Sequence, residues 1–278
     1  MIFIFISHQK SDTFVCKIEF FDILQGRNNM RKTEVSEGIV RYTFDPLPGK
    51  YFGNNIIAVI DQDRVLLIDT AYEFQALQVL NDIRDSRLEI AGVIISHFHD
   101  DHMQGLKVLP RVTTYGSVHY AATLEMWTDK EEHKYFTPTV TIKDDYTISF
   151  GKNELVLTPF PGHSLCTVLT KINDKYLHIA DELMFSNDGK PILPSADPLC
   201  MERHVDSLNR LKAYGSYALL PGHGPELSGK EKINHEIDNR IAYFDAILRS
   251  NSRITYKEAI RNCDCEFLHG EWHEYVYT

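Results

Sequence analysis

The 278-residue chain has no apolar run approaching the length of a membrane-spanning helix, about 20 residues, so no membrane partner is expected. Its opening, MIFIFI, lacks the basic flank, the longer apolar stretch and the small-residue cleavage site of a secretory signal. Cysteine is sparse. Cys16, Cys166, Cys200, Cys263 and Cys265 are odd in number and widely spaced, which argues against a disulfide framework and for a reducing, cytoplasmic setting. Cys263 and Cys265 stand too close for a usual zinc knuckle, and no second pair accompanies them. Positive charge is short as well: 29 Lys and Arg against 39 Asp and Glu leave a net charge of −10, which disfavours nucleic acid as a partner. A small-molecule substrate stays open, because a bound metal can reverse the local field. The chain has no internal repeat, no low-complexity tract and no signal for an oligomeric state. Residues 1–36 read as an N-terminal extension and residues 37–278 as one domain, with a C-terminal helical segment from about residue 230. Residues 1–29 lack a domain-like pattern, so Met30 is the expected native start, which an intact mass would check.

Apolar residues make up 43% of the chain, enough at this length to bury a sizeable core. From about Gly38 short strands alternate with turns and helices. Ile56 to Ile60 and Val65 to Ile68 read as a hairpin turning at Asp61-Gln62-Asp63. Thr70 and Glu73 match a capping box and predict a helix with an apolar stripe at Phe74, Leu77, Leu80 and Ile83. The stretch AGVIIS reads as a buried strand. Two further hairpins follow, one around Gly151-Lys152-Asn153 and one turning at Asn173-Asp174. Ser228 and Glu231 form a second capping-box match before a helix carrying Ile233, Ile237, Ile241, Phe244 and Leu248. Many strands with helices in both halves predict two packed sheets covered by helices.

The stretch after AGVIIS, SHFHDDH, places His97, His99, Asp101 and His102 within six positions. Imidazole nitrogen and carboxylate oxygen are the donors zinc accepts, and iron and manganese take them too. His97 and His99 can converge on one ion, while a helical turn starting near Asp101 aims Asp101 and His102 at a neighbouring point.

With the pattern H-x-H-x-D-H at residues 97–102, the chain resembles the metallo-β-lactamase fold superfamily. The resemblance continues through PFPGHSLCTV around His163, YLHIADELMF around Asp181 and LLPGHGPEL around His223, over residues 38–250. It implies an α+β fold: a four-layer αβ/βα sandwich of two mixed sheets flanked by helices. It implies two divalent metal ions, zinc in the first place and iron or manganese as alternatives. His97, His99 and His163 would hold the first, Asp101, His102 and His223 the second, and Asp181 would bridge them. It implies a hydrolase in which a metal-bridging hydroxide attacks a carbonyl (ester, thioester, lactone or β-lactam), with Asp101 orienting the nucleophile and carrying a proton to the leaving group. A phosphodiesterase or nuclease on the same site, or a non-catalytic metal-binding member, are the alternatives. Asp69, at the end of VLLIDT, would support the ligands from behind.

Some positions depart from the family's pattern. Ala180 stands where a Gly usually precedes the bridging Asp, and Met184 stands where lactone-cleaving relatives carry a Tyr. His99 stands where redox-active relatives carry a Glu, which favours hydrolysis. His119, His133, His178, His204 and His235 sit in no motif, and His269 and His273 read as a surface pair. Tyr51, Phe52, Trp127 and Tyr135 lie on loops expected near the mouth, and substrate choice is expected in residues 48–54, 125–140, 184–204 and 250–278.

Overall fold

A computed structural model describes residues 29–197, 201–250 and 253–276. The extension up to residue 28, on which the reading of Met30 as the start rests, lies outside them. The first sheet runs β1-β2-β3-β4-β5-β6-β7: Met30–Ser36, Ile39–Phe44, Asn55–Asp61, Arg64–Ile68, Glu89–Ile94, Thr113–Ser117 and Val140–Ile142. It is antiparallel from β1 to β4 and parallel from β4 to β7. The second runs β12-β11-β10-β9-β8, from Ala218–Leu220, Tyr176–His178, Val168–Ile172, Asn153–Pro159 and Tyr146–Phe150, with only the β11–β12 pair parallel. Residues 30–36, outside the domain limit drawn at residue 37, pair with β2 as an edge strand.

The strand sequences are apolar on both faces because both faces are covered. In β3, Ile57 and Val59 join Leu66 and Ile68 of β4 and Leu155, Leu157 and Val168 of the other sheet in a core between the sheets. Alternate residues, Ile56 and Ala58 of β3 and Val65 and Leu67 of β4, pack outward against helix α1, Glu73–Asp85. The outer face of the second sheet packs on α5, Met201–Leu211, and α6, Lys230–Arg249. The result is the expected four layers. Between them in the chain lie α2, Asp100–Met103, α3, Tyr120–Trp127, and α4, His133–Phe136; α7, Tyr256–Ala259, and α8, His273–Val276, follow. No helix of the described residues is long and apolar enough to cross a membrane.

Two helix starts differ from the sequence reading. Thr70 does not cap α1, because its hydroxyl donates to the carbonyl of His102, 3.0 Å away. The helix starts from Tyr72, whose N–H donates to the Gln75 side chain, and buries Gln75, Ala76, Val79, Leu80 and Ile83 while Leu77 points outward. Ser228 does not cap α6 either; Gly229, at φ 94°, takes that place. His269 and His273 are not a surface pair but are 3% and 1% exposed. His273 bridges the Tyr243 hydroxyl and the Ile254 carbonyl.

Every motif residue lies at one edge of the sandwich. Asp69 follows β4, residues 97–102 follow β5, Asp181 follows β11, and His223 follows β12. The sheets are tied there: Val168 N–H donates to Ser96 O at 2.7 Å, and Asn55 N–H to Gly222 O at 2.8 Å. Within the motif, Phe98 turns inward, fully buried against the outer core of the first sheet, and its N–H donates to Cys166 Sγ. Phe98→Ala should therefore lower the unfolding free energy by about 3–5 kcal/mol, and Phe98→Leu by under about 1.5 kcal/mol, in denaturant titrations.

Candidate metal centre

The site is built where parallel strands end. His97 and His99 leave β5 as a short loop and Asp101 and His102 form the first turn of α2. His163 arrives on the β9–β10 connection, Asp181 just past β11 and His223 just past β12. The Pro221-Gly222-His223 turn runs so close that a Cβ on Gly222 would meet Asp181 Oδ1 at 2.5 Å. Ala180 sits at φ 49°, and Asp69 and Ala71 at 63° and 53°, left-handed conformations that cost non-glycine residues about 1–3 kcal/mol each.

The seven side chains meet in two overlapping groups. His97 Nε2 lies 3.0 Å from His99 Nδ1, and His163 Nε2 lies 3.2 Å from the same atom. His223 Nε2 lies 3.4 Å from Asp101 Oδ2, and His102 Nε2 3.8 Å from Asp101 Oδ1. Asp181 Oδ2 stands between the groups, 3.2 Å from His223 Nε2, 3.4 Å from His102, 3.9 Å from His97 and 4.0 Å from His163. The combinations His97, His99, His163 and Asp101, His102, His223, with His97, His102, Asp181 across them, could each hold an ion.

The outward nitrogens fix the proton positions. His99 Nε2 meets Asp197 Oδ1 at 2.9 Å, His102 Nδ1 meets Asp69 Oδ2 at 2.8 Å, His163 Nδ1 meets Ser195 O at 2.7 Å, and His223 Nδ1 meets Gly53 O at 3.1 Å. His97 Nδ1 meets Ser96 Oγ at 3.2 Å, whose own proton goes to Asp69. Each partner is an acceptor, so each outward nitrogen carries the proton and each inward nitrogen presents a lone pair. The lone pairs of His97 and His163 then face that of His99 at 3.0 and 3.2 Å. This arrangement is repulsive unless a cation lies among them. Two donors about 2.0–2.1 Å from a tetrahedral ion lie about 3.3 Å apart, close to the spacing found. His102 Nε2, His223 Nε2 and Asp181 Oδ1 are buried without a hydrogen-bond partner, as unfilled ligand positions would be. The residues fit a pair of metal ions.

The electrostatics divide the cluster. Burial, and then the neighbouring His102 and His99, hold the His97 pKa well below the usual imidazole value. Burial works to raise the Asp181 pKa, but the imidazoles of His223 and His102 bring it well below the carboxylate range. Burial opposes a raised pKa at His102, where Asp181 and Asp69 prevail. Asp101 is the more open ligand-type group, with 23% of its side chain exposed.

Several functional partners were not legible in the sequence. Asp197 accepts from His99 and from the Ser164 hydroxyl and is driven down to about 2; burial opposes this, but His99 and His163 outweigh it. Glu182, the one charged residue in the apolar strand-end segment after Asp181, accepts from the backbone N–H of His163 and from Ser207 Oγ; burial pushes its pKa up to about 8. His178 is buried 3.7 Å from Asp69, and His204 3.5 Å from Glu182, so both belong to the packing behind the site. A cavity of about 230 Å³ opens beside the centre, lined by His99, Asp100, Asp101 and Trp127. Phe52 packs on His223, ring centroids 4.5 Å apart, whereas Tyr135 contacts Phe136 and Lys134 and lies off this cavity. A larger depression of about 520 Å³ between α1 and β5 shares no residue with the centre.

Residues 49–223 match the family model of the metallo-beta-lactamase superfamily. A hydroxyacylglutathione hydrolase of Shewanella baltica (strain OS195) is 26% identical over 175 residues, 59% of this chain and 60% of that protein, so the match spans under two thirds of that relative. Another, of Actinobacillus pleuropneumoniae serotype 5b (strain L20), is 23% identical over 221 residues, 76% of this chain and 84% of that protein. Among solved structures, the DIM-1 metallo-beta-lactamase is similar at TM-score 0.60 and 22% identity, over 76% of this chain and 96% of that one. A metallo-beta-lactamase from Pontibacter korlensis is similar at TM-score 0.62 and 20% identity, over 76% and 98%. At these identities the likeness to the structures is one of fold.

Asp69 accepts from Ser96 N–H at 2.8 Å, Ser96 Oγ at 2.7 Å and His102 Nδ1. Asp69→Ala strands these buried donors and should lower the unfolding free energy by about 3–5 kcal/mol in denaturant titrations; a loss below about 1 kcal/mol would contradict its bracing role.

Proposed function

Because the chain belongs to the metallo-beta-lactamase superfamily, we propose that it is a binuclear metal-dependent hydrolase of a small carbonyl substrate, a thioester or ester foremost. The observation that carries this reading is the convergence of the His97 and His163 lone pairs on that of His99, at 3.0 and 3.2 Å, beside an acidic hub, an arrangement that a bound cation relieves. The names of the relatives, hydroxyacylglutathione hydrolases, support thioester chemistry.

In this reading His97, His99 and His163 hold one ion, Asp101, His102 and His223 the other, and Asp181 serves both. Zinc suits these donors, as do iron and manganese. When bound, the ions supply a water acidified toward a pKa of about 7 and an electrophilic partner for the substrate oxygen. The chain does the rest. Asp69, Asp197, Ser195 O and Gly53 O hold the imidazoles in the tautomer and orientation their role needs. Asp101, half-open on the cavity, takes a proton from the attacking water and passes it to the leaving atom. Trp127, 5.7 Å from the His99 ring, walls one side of the cavity and excludes water from the bound acyl group. The free thiols of Cys166, Cys263 and Cys265 support a cytoplasmic setting.

Elemental analysis of protein purified without chelator should find about two metal ions per chain, and fewer than one would contradict the reading. Asp101→Ala should cut turnover by about 10²–10⁴-fold while leaving the melting temperature in place. A panel of esters, thioesters, lactones, β-lactams and bis-p-nitrophenyl phosphate, run on metal-loaded protein, should show carbonyl cleavage; activity on the phosphodiester alone would overturn the substrate class.

A further inference from the structure

The loop between β2 and β3 is held more firmly than its surface position requires. Three of its backbone N–H groups are anchored, one within the loop and two by acceptors from separate parts of the chain. Lys50 N–H donates to Leu47 O at 2.9 Å, Tyr51 N–H to His269 Nε2 at 3.1 Å, and Gly53 N–H to Asn187 Oδ1 at 2.9 Å. Asn187 in turn donates to Phe44 O. His269 stacks on Trp272 at 3.9 Å and 10°. The side chain presented by this anchored loop is Lys50, whose ammonium lies 4.7 Å from the Trp272 ring centroid and 5.3 Å from that of Phe52. Phe52 packs on His223, so the ammonium is one ring away from the metal centre. Lys50, Phe52, Asn54, Tyr72 and Asp101 line one crevice, together with Asp45. Asp45 is not within ion-pair distance of the ammonium, and among the described residues no carboxylate is. The lysine that follows the histidine motif, Lys107, is by contrast neutralised by Glu73 and Glu132.

An ammonium held over two rings, beside a catalytic centre and without a counter-ion among the described residues, is a preorganised receptor for an anion. We propose that Lys50, set by the Tyr51–His269–Trp272 contacts, forms a subsite for a carboxylate on the leaving arm of the substrate. The proposal rests on the hydrolase reading above. The leaving arm is assigned because Lys50 and Asp101, the group that protonates the leaving atom, share the crevice, while Trp127 lines a different cavity on Asp101. The C-terminal segment thereby enters substrate choice without touching the metals.

The test uses a matched pair, 3-(acetylthio)propanoic acid and its methyl ester, with thiol release as readout. The metal-loaded protein should prefer the acid at least about tenfold in kcat/KM, expressed in KM. Lys50→Ala should bring the ratio of acid to ester to about one, and Lys50→Arg should restore it. Equal use of acid and ester by the unmodified protein, or a ratio that Lys50→Ala leaves in place, overturns the subsite. If neither compound is cleaved, the hydrolase reading fails only where the wider panel also shows no carbonyl cleavage, and in either case the subsite is decided by binding. Trp127 and Trp272 are the two tryptophans of the chain, so a Trp127→Phe variant reports on Trp272. Its fluorescence should respond saturably to glutarate and lose that response when Lys50→Ala is added; no saturable response, or one that survives Lys50→Ala, overturns the proposal.

Discussion

The structure turns on one carboxylate oxygen. Asp181 Oδ2 has four imidazole nitrogens within 4.0 Å, brought by the β5 loop, the β9–β10 connection and the end of β12. Desolvating five histidines and two aspartates at a sandwich edge is costly, and attraction repays it only where every outward atom is paired and the inward atoms share a cation. Both conditions shape the fold. His102 is clamped between Asp69 at 2.8 Å and Asp181 at 3.4 Å, which joins the parallel edge of the first sheet to the second. The strain needed for this is local: Asp69, Ala71 and Ala180 hold left-handed backbone beside the site. The methyl of Ala180 is carried in a conformation where glycine is cheaper, at about 1 kcal/mol or more. Packing of the strand end and the fit of Asp181 into the cluster outweigh that cost.

The parts of this arrangement legible in the sequence share a physical property: they depend on residue type at short spacing. The two-faced apolar alternation of β3 and β4 follows from burial on both sides, and the Asn173-Asp174 turn is set by residues that tolerate the φ of 52° and 49° it needs. The residues that meet in the cluster stand out in the sequence because few side chains besides imidazole, carboxylate and thiolate can hold a metal ion. What was not legible depends on partners far along the chain. Thr70 looks like a helix cap until its hydroxyl is found on the carbonyl of His102. Asp197 and Glu182 have no motif because each acts through one or two hydrogen bonds on a histidine from another segment. His269 and His273 share the spacing of an exposed helical pair, yet each is buried by rings from elsewhere, Tyr51 and Phe52 for one and Tyr243 for the other.

The same contrast separates the chemistry of the site from its selectivity. A ligand atom displaced by a fraction of an ångström no longer serves, so the centre tolerates few residue types. The wall around it needs only shape and a few polar points, and different loops can supply those. Here the wall is supplied from a distance. Met184, where a tyrosine would reach toward a lactone, is buried with Phe52 and Ile192, and its carbonyl accepts from the buried Arg240 of α6. Arg240 also lies over Phe185 and Phe267, so α6 fixes both the strand end that carries Asp181 and the segment that leads to His269 and Trp272. One buried guanidinium thus holds the Asp181 hub and the outer wall in register. Lysine in its place would keep a charge but lose the flat face and the fork that make the two contacts at once. The C-terminal segment reads as featureless in sequence because its role is to hold other residues still.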